Sequence, residues 1–184
     1  MKVERRAIAD VLLLEPSLFG DARGFFMETW NARTFEKLGI NAQFVQDNHS
    51  RSSKNVLRGL HYQVRQPQGK LVRVTAGEIW DVAVDLRRSS KSFGRWAATR
   101  IDAESHRMLW VPAGFAHGFL VLSEQAEVQY KTTDYYAPEH ERTLLWNDPA
   151  LAIDWPLAGA PAVQPTVSDK DRRGMPLAGA ETFE

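Results

Sequence analysis

The feature that most constrains this chain is the rhythm of its apolar residues. Short alternating or continuous runs recur along it, each cut off by turn-forming residues. That rhythm favours an antiparallel sandwich or barrel over any helical architecture. Val11–Leu14 stops at Glu15-Pro16, and Phe25–Trp30 follows the turn signal Asp21–Gly24. Lys70–Thr75 and Glu78–Leu86 flank Ala76-Gly77, which reads as a hairpin connection. Trp96–Ile101, Met108–Val111, Gly118–Leu122 and Glu127–Thr133 supply further strands. One helix is expected, capped by Asn31, carried by Ala32–Leu38 and ended by Gly39. With 184 residues, the chain suits a single domain over 1–184 with a core of its own.

Alternation sorts the polar residues. In Glu78–Leu86, Trp80, Val82, Val84 and Leu86 share one face, and Asp81, Ala83 and Asp85 share the other. Those two acids are either solvated or line a polar barrel interior; periodicity does not choose. Pro156–Pro165 is rich in Ala, Gly and Pro and reads as a surface loop. By periodicity alone, the polar tail Ser168–Gly174 reads as disordered.

Composition narrows the function classes. Lys and Arg together number 23, equal to Asp and Glu, so no net field draws nucleic acid or an anionic membrane. There is no cysteine, which excludes disulfides, thiolate chemistry and Cys-based zinc sites. The apolar stretch within MKVERRAIADVLLLEP is too short for a signal peptide or a membrane span. The expectation is a cytoplasmic protein without nucleic-acid or membrane partners.

Two polar clusters can carry chemistry. The first runs Gln46-Asp47-Asn48-His49-Ser50-Arg51-Ser52 and continues as Leu57-Arg58-Gly59-Leu60-His61-Tyr62-Gln63. His61 is a buried structural histidine, a general base titrating near neutrality, or a metal ligand. Metal-binding cupins usually offer two histidines one residue apart, and here that place reads His61-Tyr62-Gln63; a metal is not expected. The second cluster is Pro112-Ala113-Gly114-Phe115-Ala116-His117-Gly118-Phe119, where His117 either bonds a backbone carbonyl or meets a ligand. Tyr130 is a core tyrosine or a proton donor. Lys70, Arg23 and Arg58 default to surface charges when each is taken alone.

Taken in order, these segments resemble one family, the dTDP-4-dehydrorhamnose 3,5-epimerases. The likeness includes Asp21-Ala22-Arg23-Gly24-Phe25-Phe26-Met27-Glu28, Lys70-Leu71-Val72-Arg73-Val74, Asp81-Val82-Ala83-Val84-Asp85-Leu86-Arg87, Tyr130-Lys131 and Trp146-Asn147-Asp148-Pro149, besides the two clusters. It runs from about the first strand to Asp171. The resemblance implies an all-β, cupin-like jelly-roll barrel with a few short peripheral helices. It implies a homodimer that exchanges N-terminal strands, with no metal and no diffusible cofactor. The implied substrate is a dTDP-4-keto-6-deoxyhexose. The base falls on His61, the acid on Tyr130, and the lysine beside the ketone on Lys70. Asp171 is implied as the acid orienting His61, with Asp169 as the competing assignment because Leu157–Val167 is longer than the family norm. Asp81 is expected to pair with Lys70. The implied substrate-binding positions are Arg23, Phe26, Glu28, Gln46, Asp47, Asn48, Arg58, His117, Tyr136, Glu141 and Lys170.

The implied chemistry suits these residue types. Hydrogens on the carbons flanking a ketone are acidic because an enolate holds the charge. Inversion then needs a base on one ring face, an acid on the other and a cation at the oxygen. Alternation raises one difficulty, since Arg58 and His61 fall on opposite faces of a regular strand; a bulge at Gly59 or a rim position for Arg58 resolves it. Three alternatives stay open: a mono-epimerase acting at C3 or C5 alone, a non-catalytic nucleotide-sugar-binding cupin, and a metal-dependent cupin.

Overall fold

The computed structural model describes residues 1–157 and 164–184. Most of Pro156–Pro165, expected to be a surface loop, and of Leu157–Val167, expected to be longer than the family norm, lies outside the described residues. The elements follow in chain order. They are β1 (Lys2–Arg5), β2 (Leu12–Glu15), β3 (Leu18–Asp21), β4 (Gly24–Met27), α1 (Ala32–Lys37), β5 (Gln46–Ser53) and β6 (Leu57–Gln63). Then come β7 (Lys70–Ala76), β8 (Glu78–Asp85), β9 (Trp96–Asp102), β10 (Met108–Val111), β11 (Phe115–Val121), β12 (Gln125–Thr132), β13 (Glu141–Thr143) and α2 (Asp169–Arg172). One sheet has the order β1-β2-β10-β7-β12-β5 and the other β13-β6-β11-β8-β9; β3 and β4 form a separate hairpin.

The two sheets close on a shared apolar core. Val72, Val74, Leu109, Val111 and Val128 come from the first sheet, and Ile79, Ala83, Ala97, Ile101, Phe115 and Val121 from the second. The chain is a jelly-roll of the cupin type, as its motifs implied. Outside the first sheet, Leu12, Leu14, Leu71 and Met108 are covered by Phe35 of α1 and by Ile40. That helix forms where expected: Asn31 accepts hydrogen bonds from the Arg33 and Thr34 N–H groups, and Gly39 follows it at φ +83°.

Two expectations are overturned. Ala76-Gly77 does turn the chain, but it joins no hairpin, because β7 pairs with β10 and β12 while β8 pairs with β11 and β9. The turn carries the chain from one sheet to the other. Gly77 sits at φ +73°, and a Cβ there would lie 2.0 Å from the Gln125 carbonyl oxygen, so only glycine fits. The tail at Ser168–Gly174 is ordered, since α2 forms within it and buries Asp171. Its order comes from tertiary contacts, which periodicity does not register.

Alternation along β8 is also settled. Val82 and Val84 pack outward under the C-terminal segment, and Ala83 faces the inter-sheet core. Asp81 and Asp85 therefore point into the barrel, both fully buried. Asp85 anchors one end through Arg87, Ser90 and Ser92. Burial pushes its carboxyl up, yet those bonds outweigh burial and hold it at about 2.

Candidate active site

The bulge in β6 creates the site. His61 pairs with His117 and Arg58 with Phe119, so β6 spends one residue more than β11 between those two pairs. Gly59 carries φ +125°, and a Cβ on it would meet Gly118 Cα at 2.6 Å. The extra residue brings Arg58 to the same side as His61. Both line one hollow of about 240 Å³ with Ser50, Lys70, His117 and Tyr130. An adjoining hollow of about 270 Å³ shares His61, Lys70, Tyr130, Tyr136 and Glu141 with it and adds Gln46 and Asn48. A larger hollow of about 340 Å³ lies over the outward residues Asp47, His49, Arg73 and Lys131. It touches Asn48 and Tyr130 but includes neither His61 nor Lys70.

The cavity has two walls of different origin. His61 stands on β6 of one sheet, while Tyr130 and Lys70 stand on β12 and β7 of the other. His61 Nε2 lies 2.6 Å from Asp171 Oδ1, and the Gly59 N–H donates to Asp171 Oδ2 at 3.3 Å. Burial pushes the Asp171 carboxyl up, but its bonds to His61, Gly59 and Ser168 prevail and hold it below the ordinary value. Asp169 is exposed and pairs with Arg172 at 3.1 Å.

Lys70 is buried and donates from Nζ to the His61 carbonyl at 3.2 Å. Burial lowers its ammonium to about 8, while Asp81 and Glu141 pull the other way. The expected Asp81–Lys70 pair is not made. Asp81 instead takes His117 Nε2 on both oxygens, at 2.8 and 2.9 Å. The reason is topological: His117 lies on the neighbouring strand of the same sheet, and Lys70 lies across the barrel. Asp81 reaches Lys70 only through its field. Tyr130 packs against the inter-sheet core, and burial raises its phenol above the usual value, keeping it neutral.

At the mouth, Glu141 links two groups. It accepts from Tyr136 Oη at 3.0 Å and from Lys170 Nζ at 2.9 Å. Burial pushes the Glu141 carboxyl up, and Lys170, His61 and Tyr136 together bring it below the ordinary value. Gln46 donates to Asn48 Oδ1 at 2.9 Å and accepts from the Tyr136 N–H at 3.0 Å.

Four expected residues lie away from this cavity. Asp47 faces outward from β5 and pairs with Lys131 at 2.9 Å, because strand alternation separates it from Gln46 and Asn48. Arg23, Phe26 and Glu28 belong to or adjoin the exposed β3–β4 hairpin. There Arg23 pairs with Asp21, and Glu28 accepts from Asn31 Nδ2 at 2.9 Å. Sequence reasoning passed over Ser50 and Gln63 as cavity residues. The alternation Gln46, Asn48, Ser50 was the available signal for the first. Gln63 is buried and holds the Gln66–Ala137 loops through bonds to the Gln66 and Tyr135 carbonyls and the Ala137 N–H.

Among the described residues, no three His, Cys, Asp or Glu side chains cluster as a metal site. No helix there is long and apolar enough to cross a membrane.

Known proteins resemble this chain throughout. The family model described as dTDP-4-dehydrorhamnose 3,5-epimerase matches residues 5–179. The dTDP-4-dehydrorhamnose 3,5-epimerase of Pseudomonas aeruginosa is 61% identical over 184 residues, covering 100% of this chain and 99% of the relative. That of Shigella flexneri is 51% identical over 185 residues, with 100% and 99% covered. A crystal structure of the 3,5-epimerase from Legionella pneumophila in complex with dTDP-4-keto-L-rhamnose superposes with a TM-score of 0.92 at 49% identity, over 98% of this chain and 94% of that one. With a family model spanning nearly its whole length and full-length relatives above half identity, this chain belongs to the dTDP-4-dehydrorhamnose 3,5-epimerase family.

Proposed function

We propose that this enzyme inverts C3 and C5 of dTDP-4-dehydro-6-deoxy-D-glucose, giving dTDP-4-dehydro-L-rhamnose for dTDP-L-rhamnose biosynthesis. The observation that carries this reading is the pair of facing walls. A sugar ring lying between the sheets meets an imidazole on one side and a neutral phenol on the other.

Because His61 Nε2 is taken by Asp171, Nδ1 is the nitrogen free to accept a carbon-bound proton. The carboxylate fixes that tautomer and stabilises the imidazolium that follows. The electron pair moves onto the C4 oxygen, where the Lys70 ammonium stabilises it. Tyr130 then delivers a proton to the opposite face of the same carbon. His61 then releases its proton to solvent and Tyr130 takes one back, and repetition at the second carbon completes the double inversion. The steps are redox-neutral and draw on no metal or diffusible cofactor.

Binding falls to other groups. Arg58 contributes a forked cation for the diphosphate, and Gln46, Asn48, Tyr136, Glu141 and Lys170 surround the mouth. The exposed hairpin, with Phe19 and Phe26 at 64% and 70% exposure, supports a homodimer in which Arg23, Phe26 and Glu28 reach the partner's cavity.

The test is NMR of the product made in deuterated water from the 4-keto sugar. Deuterium at C3 and C5 with both centres inverted is the expected result. Label at one carbon indicates a mono-epimerase, and no label indicates a binding protein.

A further inference from the structure

We infer that Ser168 is a positioning residue for the His61–Asp171 pair. This inference rests on the catalytic reading of His61 given above. A helix of four residues, as α2 is, has too few internal bonds to hold its own register. Its flanks are stapled to the second sheet. On one side Thr166 bridges Val56, with its N–H on the Asn55 carbonyl at 2.8 Å and its carbonyl accepting the Leu57 N–H at 2.9 Å. On the other side Met175 bridges Leu144, with bonds of 2.8 and 2.9 Å to Thr143 and Leu145.

Between the staples, two carboxylates stand two residues apart, at Asp169 and Asp171. Ser168 decides which one meets His61. Its Oγ accepts the Asp171 N–H at 3.1 Å, and its carbonyl accepts the Arg172 N–H at 2.9 Å. That cap turns Asp171 inward, where Oδ1 meets His61 and Oδ2 meets the Gly59 N–H. Asp169 is left to solvent. Ser168 itself is exposed and acts on the imidazole only through Asp171.

The experiment compares Ser168→Ala and Ser168→Thr with the unaltered chain. Two readouts are used: the low-field proton resonance of the His61 ring N–H in the ligand-free protein, and steady-state kinetics of C3/C5 inversion. Asp171→Asn assigns the resonance. In Ser168→Ala the resonance is expected to move upfield or broaden. The kcat should fall roughly fivefold, the scale of one hydrogen bond, with KM little changed. Ser168→Thr retains the capping hydroxyl and should restore both. A Ser168→Ala protein with lowered melting temperature but unaltered resonance and kcat overturns the positioning role and leaves only a helix cap. Absence of inversion by the unaltered chain overturns the catalytic reading instead, and the resonance distinguishes that failure from this one.

Discussion

His61 and His117 lie opposite each other across the β6–β11 ladder, and each imidazole is fastened through Nε2 to its own carboxylate. The partners differ in what they leave free. The His61 side chain is 26% exposed and opens on the cavity, whereas that of His117 is 8% exposed and Asp81 is fully enclosed. One pair is accessible to a reacting carbon, and the other is built into the wall. Asp171→Asn is therefore expected to lower C3/C5 exchange by at least about 100-fold. Asp169→Asn should stay within about twofold, since exposed ion pairs contribute little. Exchange rates for the two variants, measured side by side, check this.

The Asp81–His117 pair should matter first for stability. Removing one partner of a buried pair typically costs about 3–5 kcal/mol. Asp81→Ala is expected to lose that order of unfolding free energy in denaturant titration, and Asp81→Asn less, because an amide still bonds the ring. A fully stable Asp81→Ala protein would mean that the pair contributes nothing to the fold.

Lys70 links turnover to pH. Its ammonium is lost as pH rises through about 8, so turnover should decline above that point, and Lys70→Met should abolish most activity. The stability trend runs the other way. The unfolded chain holds this proton up to about 10.4, so between the two values the unfolded state binds more protons and stability rises with pH. Turnover that stays flat well above pH 8 in the unaltered chain would remove Lys70's charge from the mechanism.

How far the sequence carried depends on whether a signal was local. The α1 cap at Asn31 and most strand runs were legible because caps and alternation are properties of neighbouring residues. The destination of β8 after Gly77 was not, because a tight turn looks the same whether its strands pair or part. Asp81 was assigned to Lys70 on chemical plausibility, and only the strand order shows that His117 is nearer. Asp47 enters the expected set only through the resemblance, and strand alternation already separates it from Gln46 and Asn48. The ordering of Asp171 was invisible to periodicity, since α2 depends on staples to residues far away in sequence.

The hairpin gives a test by subunit mixing. Arg23→Ala should chiefly raise KM, as loss of a phosphate contact remote from the reacting carbons removes uniform binding. If Arg23 serves the partner's cavity, a hybrid of Arg23→Ala and His61→Ala subunits has one site with both lesions and one with neither. At low substrate, activity should reappear on mixing. Proven subunit exchange without recovery would place Arg23 in its own chain's site.

The measurement that bears most directly on proton transfer between two walls is the ratio of solvent exchange to inversion in Tyr130→Phe. This variant keeps the ring and removes the donor. His61 should still abstract, so deuterium should enter C3 or C5 with configuration retained, while net inversion falls by ~10²–10⁴-fold. His61→Ala should lose exchange and inversion together. If Tyr130→Phe leaves the ratio unchanged, with both rates falling in step or neither falling, Tyr130 is not the donor and the two-wall mechanism is wrong.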